Sequence, residues 1–275
     1  MFDQDAGVTY TIYEMKTRVL LAMLIIFIVV AGICITCGAI FVVRNVEIVD
    51  ATVQTANSLT EDEKNEIIAT CGLSGKNILF NLNQDKIAQN VKSVNSKFKL
   101  HSVTAKFPNR VVLMISRRVP VFYDHNHAYD AEMCIVGEGT DEHWINIAGA
   151  NLALKEDLKA GDMAVGIDSR SQAKIEQLKI IAAHFESMEG FEISYDDTPA
   201  NVGADYLCLQ LTIKAGVTFQ IKIKLSDDFL RALEYTDQIY QNDAHKATGV
   251  YETFYNEDGK LRVKVPGEVK PYGEK

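Results

Sequence analysis

The sequence lacks any long run of basic residues. Its 28 lysines and arginines are outnumbered by 37 aspartates and glutamates, so the net charge is −9. A surface that binds nucleic acid needs clustered lysine and arginine side chains to neutralise phosphates. We therefore expect no nucleic acid among the partners of this protein.

The sequence also has few cysteines, and their positions do not indicate a disulfide framework. Three of the five, Cys71, Cys134 and Cys208, are scattered and odd in number. The other two, Cys34 and Cys37, have the Cys-x-x-Cys spacing of redox and metal sites, but they lie in an apolar segment. The alternative interpretation, which we adopt, is that both are small, polarisable residues within that segment.

The motifs that indicate catalysis are missing as well. No serine lies in a Gly-x-Ser-x-Gly turn, and no glycine-rich loop has the spacing of a phosphate-binding loop. No carboxylate stands isolated in an apolar run, where burial would raise its pKa and favour acid–base chemistry. We therefore predict a protein that is not an enzyme, with no cofactor and no small-molecule substrate.

One polar segment has residue types that bind metal ions. His125 and His127 have His-x-His spacing, and Asp124, Glu142 and His143 lie near them in the sequence. Alternate histidines on a strand can bind zinc. No second Cys or His pair completes a ligand set, so we predict a solvated loop. The alternative is a membrane-anchored extracytoplasmic enzyme or metal-binding protein that uses the His125/His127 loop.

Charge is absent from the segment Val19 to Val43, which Lys16, Arg18 and Arg44 flank. As a helix it would extend roughly 37 Å, enough to cross a ~30 Å hydrocarbon core, and it is longer than the apolar core of a signal peptide. We predict a transmembrane helix over residues 19–43. The flanking charges favour a cytoplasmic tail at 1–18 and extracytoplasmic domains after residue 43.

The next segment, residues 44–118, has the pattern of a small α+β domain. Thr60 and Glu63 have the spacing of a capping box, and Gly72 is placed to end that helix. Asn83 or Asp85 opens a second helix. A strand precedes these helices and two strands follow them, which predicts the order β-α-(short β)-α-β-β around a three-stranded sheet with two helices on one face.

Four segments of this region, in order and after a single apolar run, resemble the POTRA domain of the FtsQ/DivIB cell-division proteins. They are Phe41–Ile48, the Gly-x-Asn-Ile segment Gly75–Leu82, the hairpin Lys106–Ile115 and the Arg-x-Pro-Val segment Arg118–Val121. We assign structural roles, and no chemistry, to the motif residues Asn77, Phe107, Pro108, Asn109, Arg118 and Pro120. Phe107 is expected in the core.

The sequence departs from the family pattern at two positions. Arg117 stands where glutamate is usual, and Phe122 stands where a small residue is usual. The first departure puts a local ion pair of the family in question and leaves the expected fold unchanged.

Residues 119–265 have strand patterns interspersed with two helices. We predict short strands at 119–123, 127–136 and 144–147, and helices that Ser169 and Ser226 cap, the first of them ending at Gly190. Hairpins are predicted at 206–225 and 248–265. The order of elements resembles the β domain of the FtsQ/DivIB family, and the polar tail 266–275 is expected to be loose.

The resemblance implies a binding function for the last hairpin. In this family the C-terminal strand region docks small bitopic coiled-coil partners of the FtsB/DivIC and FtsL type. An edge strand can also accept another chain by strand addition. The candidate partner-binding residues are Val250, Tyr251, Phe254, Tyr255, Leu261 and Val263.

The predicted fold class is thus α+β, with one transmembrane helix (19–43), a POTRA domain (44–118), a β-rich mixed α+β domain (119–265) and a tail (266–275). The predicted function is a non-catalytic scaffold of the bacterial division machinery, in the cell membrane at the septum, that helps control septal peptidoglycan synthesis. A POTRA-bearing scaffold of another envelope complex is the other alternative.

Overall fold

A computed structural model describes residues 5–51, 58–78, 82–141, 143–197, 205–243 and 248–266 of the chain. These residues form a mixed α+β fold. The chain divides into two compact units, Met1–Arg117 and Arg118–Lys275.

The first unit begins with helix α1 (Asp5–Ile40). Within the part of the chain that the structure describes, no helix is both long and apolar enough to cross a membrane. The prediction of a transmembrane helix over 19–43 is therefore wrong. The predicted span also extends past the end of the helix. Helix α1 ends at Ile40, and Val43, which is 2% exposed, lies in the core of the unit.

The remainder of the first unit has the predicted order of elements, except that its described residues contain no strand between the two helices. Its strands and helices are β1 (Asn45–Asp50), α2 (Glu61–Thr70), α3 (Gln84–Val94), β2 (Phe98–Lys106) and β3 (Arg110–Arg117). The sheet has the order β1-β3-β2, with β1 parallel and β2 antiparallel to the central strand β3. This arrangement confirms the three-stranded sheet and its two helices.

Local hydrogen bonds explain where the two short helices begin. The Thr60 hydroxyl accepts the backbone N–H of Glu63, and the Glu63 carboxylate accepts that of Thr60, so the predicted capping box is confirmed. The side chain of Asn83 caps α3 by accepting the N–H of Lys86 at 3.0 Å. Ile67 of α2 and Ile87 of α3 then reach the core together with side chains of β3.

The second unit contains two sheets. The smaller sheet comprises β4 (Phe122–Tyr123), β5 (Ala128–Tyr129), β6 (Ile135–Gly137) and β7 (Ile145–Asn146) in the order β6-β5-β4-β7. The larger sheet comprises β8 (Glu192–Tyr195), β9 (Tyr206–Lys214), β10 (Val217–Lys224), β11 (Gly249–Tyr255) and β12 (Leu261–Lys264). Its order is β12-β11-β10-β9-β8, and β10 and β11 are parallel neighbours. Both predicted hairpins, β9–β10 and β11–β12, are confirmed as antiparallel pairs.

Two helices of this unit, α4 (Ser169–His184) and α5 (Phe229–Asn242), have caps that lie one and two residues away from the predicted ones. Asp168 and Asp228, in extended conformations, accept the N–H groups three residues later. The predictions of Ser169 and Ser226 as caps are wrong, because aspartate caps as well as serine does and both types stand at these starts. Helix α4 also ends at His184, before the predicted Gly190.

The larger sheet has one buried and one open face. Helix α5 packs against β10, β11 and β12. The alternate residues Phe219, Ile221 and Ile223 of β10 are at most 1% exposed, and they belong to the hydrophobic core of the unit. The intervening residues of β10, such as Gln220 and Lys222, are half-exposed on the opposite face. Strand alternation therefore separates an apolar, helix-covered face from a polar, open face.

Candidate partner-binding edge

Strand β12 is the terminal strand of the larger sheet, and β11 is its neighbour in that sheet. The pairs in register are Tyr255–Leu261, Phe254–Arg262, Thr253–Val263 and Glu252–Lys264. The other long edge of β12 faces away from the sheet. Such an edge presents backbone donors and acceptors that another strand can bind.

The register shows which backbone groups of β12 point outward. At the hairpin turn the N–H of Asn256 donates to the carbonyl of Lys260 at 2.9 Å. Antiparallel pairs alternate between bonded and non-bonded, so Arg262 pairs with β11 and the residues on either side do not. The N–H and C=O groups of Leu261 and Val263 therefore point to the free edge.

The opposite edge of the same sheet is covered. A short 3-10 turn, Ala148–Ala150, lies against β8. It approaches so closely that a Cβ on Gly149 would lie 3.3 Å from the Cβ of Ser194. A strand that approaches β8 would have to displace this turn. Among the described residues, the sheet is thus open to strand addition at β12 and covered at β8.

The side chains of the β11–β12 hairpin divide between the two faces. Tyr255, Leu261 and Val263 are half-buried against the core on the helix-covered face. Val250 is 46% exposed, and Phe254 is half-exposed on the open face. These five of the six candidate residues thus lie at or near the edge, on both faces of it.

The sixth candidate, Tyr251, does not lie at the surface. It is 0% exposed, packs edge to face against Phe219 and Tyr240, and donates its hydroxyl hydrogen bond to Asp243 at 2.7 Å. Burial, and then Asp243, raise the pKa of the Tyr251 hydroxyl, so this group stays protonated. The structure therefore corrects the assignment of Tyr251 from partner contact to core residue.

A glycine with positive φ lies near each end of the free edge. At one end Gly259, with φ of +70°, completes the hairpin turn. At the other end Pro266 packs on Gly249, which has φ of +138°, and a Cβ on Gly249 would lie 2.6 Å from the Cβ of Pro266. Pro266, the first residue of the tail expected to be loose, is thus held in place, and residues 267–275 lie outside the described residues. The edge offered to a partner extends from Leu261 to Val265.

The motif residues of the first unit make contacts between its strands and the segments that connect them. Asn77 forms a β-bridge with Val42, and the carbonyl of Asn109 accepts the N–H of Arg44 at 2.9 Å. Pro108 follows a cis peptide bond in the β2–β3 turn. Phe107 packs edge to face on Phe41 but is 61% exposed, so its prediction as a core residue is wrong. Leu79 and Phe80 of the short strand predicted at 77–80 lie outside the described residues.

The Arg118 motif residue anchors a loop of the second unit. Its guanidinium donates to the buried carboxylate of Asp130 and, at 3.4 Å, to Glu132. Asp130 in turn accepts the N–H of Cys134 at 2.8 Å, which fixes the chain before β6. Pro120 is half-buried just before β4. The roles of both residues in this unit are structural.

An ion pair of the first unit was missed by the sequence analysis. Arg117, noted only as a departure from the family pattern, donates from Nη2 to both carboxylate oxygens of Glu63, at 2.6 and 2.7 Å. Its guanidinium carbon also lies 5.5 Å from the centre of the Phe98 ring. The partners are 54 residues apart in the sequence, so no local pattern indicated this contact between β3 and the capping box of α2.

The histidine loop forms a closed turn. The Asp124 carboxylate accepts the N–H groups of Asn126 and His127, both at 2.7 Å, and the Tyr129 hydroxyl at 2.6 Å. Three or more metal-ligand side chains do not come together anywhere in the described ranges, and Glu142 lies outside them. The carboxylate nearest the two histidines is thus engaged in holding the turn.

The three cysteines whose side chains the structure describes are buried and unlinked. Cys71, Cys134 and Cys208 are free thiols with at most 3% exposure. Burial raises the pKa of the Cys71 and Cys208 thiols, which disfavours the reactive thiolate. The side chains of Cys34 and Cys37 lie outside the described part of α1.

Comparison with known proteins adds no family to this geometry. No protein-family model matches the chain, and no curated protein sequence matches it.

Proposed function

We propose that this chain is a non-catalytic scaffold of the bacterial division machinery, and that it binds partner proteins by strand addition at β12. Its partners are coiled-coil division proteins of the FtsB/DivIC and FtsL type. By holding them at the division septum, it helps to control septal peptidoglycan synthesis. The protein acts by binding and thereby coupling its partners, without chemical turnover.

The observation that carries this proposal is the difference between the two edges of the larger sheet. β8 is covered by the turn at Ala148–Ala150, whereas no described segment covers the backbone of Leu261 and Val263 at β12. An open sheet edge can pair with other chains in unwanted ways, so proteins usually cover such edges or carry residues there that prevent pairing. An open edge flanked by the partly exposed Phe254 and Val250 supports a binding role for β12.

The division assignment depends on the sequence resemblance. The first unit has the β-α-α-β-β order that the resemblance to FtsQ/DivIB proteins implies, and the hairpin that the resemblance assigns to partner binding contains the open edge. These two agreements support the division machinery over an unrelated scaffold.

A proline substitution tests the edge directly. In Val263→Pro the ring removes an N–H that points away from β11, so the β11–β12 ladder keeps its hydrogen bonds. The matched control, Val263→Ala, loses more of the side chain but keeps the N–H. Each full-length variant is purified from its native host by an affinity tag, and the proteins that co-purify are identified by mass spectrometry.

We expect wild type and Val263→Ala to recover coiled-coil division proteins and Val263→Pro to lose them. Undiminished recovery with Val263→Pro would refute docking at β12. Recovery of components of another envelope complex would refute the division assignment but would not contradict docking at β12. A fluorescent fusion that never gathers at the septum would count against the assignment as well.

A further inference from the structure

A polar cleft of about 440 Å³ lies on the open face of the larger sheet, at the end where β8 is the terminal strand. Asn146 of β7 and the turn at Ala148–Ala150 border it on one side. The sheet contributes five polar side chains from three neighbouring strands: Glu192, Ser194, Gln210, Thr212 and Thr218. Its volume is within the ~300–1,000 Å³ of small-molecule sites, but its lining is polar where such sites are mostly apolar.

The register of the sheet brings these five side chains together. Ser194 pairs with Gln210, Glu192 pairs with Thr212, and Thr212 pairs with Thr218. Directly opposite residues on one face have Cβ atoms ~4.5–5.5 Å apart. The intervening residues of these strands are buried in the core of the unit. The five side chains therefore form one continuous polar surface on the face opposite the helices.

Much of the hydrogen-bonding capacity of this surface is unused. Among the residues that the structure describes, the side chains of Glu192, Ser194 and Gln210 have no hydrogen-bond or ion-pair partner. The hydroxyl oxygens of Thr212 and Thr218 lie 3.0 Å apart, so one of their two hydrogens is used between them and the other is left. The cleft thus offers a carboxylate that accepts, and an amide and hydroxyls that both donate and accept.

The border of the cleft is shaped to leave these groups accessible. The side-chain oxygen of Asn146 accepts the N–H of Ala148 at 2.9 Å, which leaves its NH2 group for a ligand. Gly149 lies so close to Ser194 that a Cβ on it would be 3.3 Å from the Cβ of Ser194. The missing side chain at Gly149 therefore keeps the cleft open beside Ser194.

The composition of the cleft excludes most classes of ligand. Glu192 is the single charged side chain in the described lining, so phosphates and carboxylates would be repelled. An apolar molecule would leave the buried polar groups unpaired. A peptide strand would need the backbone edge of β8, which the turn at Ala148–Ala150 covers. A polyhydroxyl ligand fits, because each hydroxyl both donates and accepts, and two adjacent hydroxyls match the two polar atoms of a carboxylate or an amide.

We propose that the polar cleft binds a saccharide that has no acidic groups. Glu192 accepts hydrogen bonds from its hydroxyls, and Gln210 and Ser194 donate to and accept from them. The charge of Glu192 also excludes acidic saccharides. This site lies at the opposite edge of the sheet from β12, so saccharide binding is independent of strand addition there.

An array of neutral, amino and acidic saccharides tests the proposal on the full-length chain. It includes cellotriose, chitotriose and trigalacturonate, together with their monosaccharides. We expect neutral or amino saccharides to bind and trigalacturonate not to bind. The monosaccharides show whether the ligand is a free sugar or a unit of a chain, and binding of either supports the proposal. The tighter binder of cellotriose and chitotriose is then measured by calorimetry.

Substitution of Gln210 locates the binding. Gln210→Leu keeps the size of the side chain and removes its hydrogen bonds, so the affinity should fall about three- to tenfold. The control, Gln220→Leu, makes the same change at the half-exposed position directly opposite on β10, outside the lining of the cleft, and should bind within about twofold of wild type. Both variants are first shown to unfold at the temperature of wild type.

Substitution of Glu192 tests the charge selection. Glu192→Gln should admit trigalacturonate with an affinity at least about tenfold above wild type, and should keep the neutral saccharide within about threefold, because glutamine still accepts hydrogen bonds. The control, Glu252→Gln, makes the same change in net charge on β11 and should leave the selection unchanged.

Three results would overturn the proposal. The first is an array on which no neutral or amino saccharide binds the folded wild type. The second is unchanged affinity in Gln210→Leu, or an equal loss in Gln220→Leu, which would place the sugar outside the cleft. The third is trigalacturonate binding to wild type as tightly as the neutral saccharides do.

Discussion

The ion pair between Glu63 and Arg117 makes a quantitative prediction about the first unit. Glu63→Gln removes the charge but keeps the capping box, because glutamine fills that position as well as glutamate does. Arg117→Gln removes the other partner, and the double variant completes a thermodynamic cycle. The control, Thr60→Ala, removes the cap and leaves both charges in place.

The expected magnitude follows from the contact distances and the exposure of the pair. The Arg117 nitrogen lies 2.6 and 2.7 Å from the two oxygens, and the side chains are 22% and 23% exposed. Charge centres ~4 Å apart attract by about 4 kcal/mol at an effective dielectric constant of ~20, before the cost of desolvation. Exposed pairs contribute ~0–1 kcal/mol and breaking a buried pair costs ~3–5 kcal/mol, so we expect a coupling of about 1–2 kcal/mol here.

The coupling should depend on pH in one direction. Burial by itself would raise the pKa of Glu63, but hydrogen bonds from the Thr60 backbone and from Arg117 favour the carboxylate and lower the pKa below its usual value. A lowered pKa in the folded state stabilises the protein above the unfolded-state pKa of about 4.3. The stability difference between wild type and Glu63→Gln should be complete at neutral pH and disappear as pH falls through the lower, folded-state pKa.

Amide hydrogen exchange in α2 and β3 is the suitable assay. The single tryptophan, Trp144, lies in the second unit, so its fluorescence does not report on the unfolding of the first. Opening free energies at Ile67 and Leu113, both buried in the first unit, give the cycle directly. A coupling below about 0.5 kcal/mol, or one that is unchanged between pH 7 and acid pH, would refute the reasoning.

Two further predictions concern the second unit. Tyr251→Phe loses the hydrogen bond from the hydroxyl to Asp243, so the free energy of unfolding of the full chain should fall by about 1–2 kcal/mol. Partner recovery should be unchanged. Weaker recovery by the folded variant would show that Tyr251 belongs to the binding surface. Gly249 has a φ of +138°, and Gly249→Ala places a Cβ 2.6 Å from Pro266. This substitution should lower the free energy of unfolding by more than about 2 kcal/mol. The control Gly259→Ala also has positive φ but meets no neighbouring atom within 4 Å, so equal losses at the two glycines would show that the Pro266 contact contributes nothing.

Features that depend on a few neighbouring residues were predictable from the sequence. The capping box of Thr60 and Glu63 needs only a spacing of three residues, and the β9–β10 hairpin needs Gly216, with φ of +81°, between two alternating segments. The buried residues Ile175, Leu178 and Ile181 of α4 are three positions apart, which is the spacing of one helix face. In each case the groups that form the structure are close together in the chain, so their geometry follows from the residue types themselves.

The failed predictions involve choices that local patterns leave equivalent. Asp168 and Ser169 are both good caps, and only the conformation of the folded chain selected Asp168. An apolar run such as 19–43 shows hydrophobicity but not where the helix ends, and the packing of Val43 in the core of the first unit decided that. Phe107 has the residue type of a core position yet is exposed beside Phe41.

The candidate site depends most on tertiary structure. Alternation in 248–265 marked a hairpin of apolar and aromatic residues, but it did not say which face carries the helix, so Tyr251 and Phe254 were indistinguishable. Whether β12 ends the sheet depends on β11 lying parallel to β10, and whether β8 is closed depends on the turn at Ala148–Ala150. Pairing between distant segments leaves no local mark in the residues involved, so the open edge is a property of the folded sheet alone.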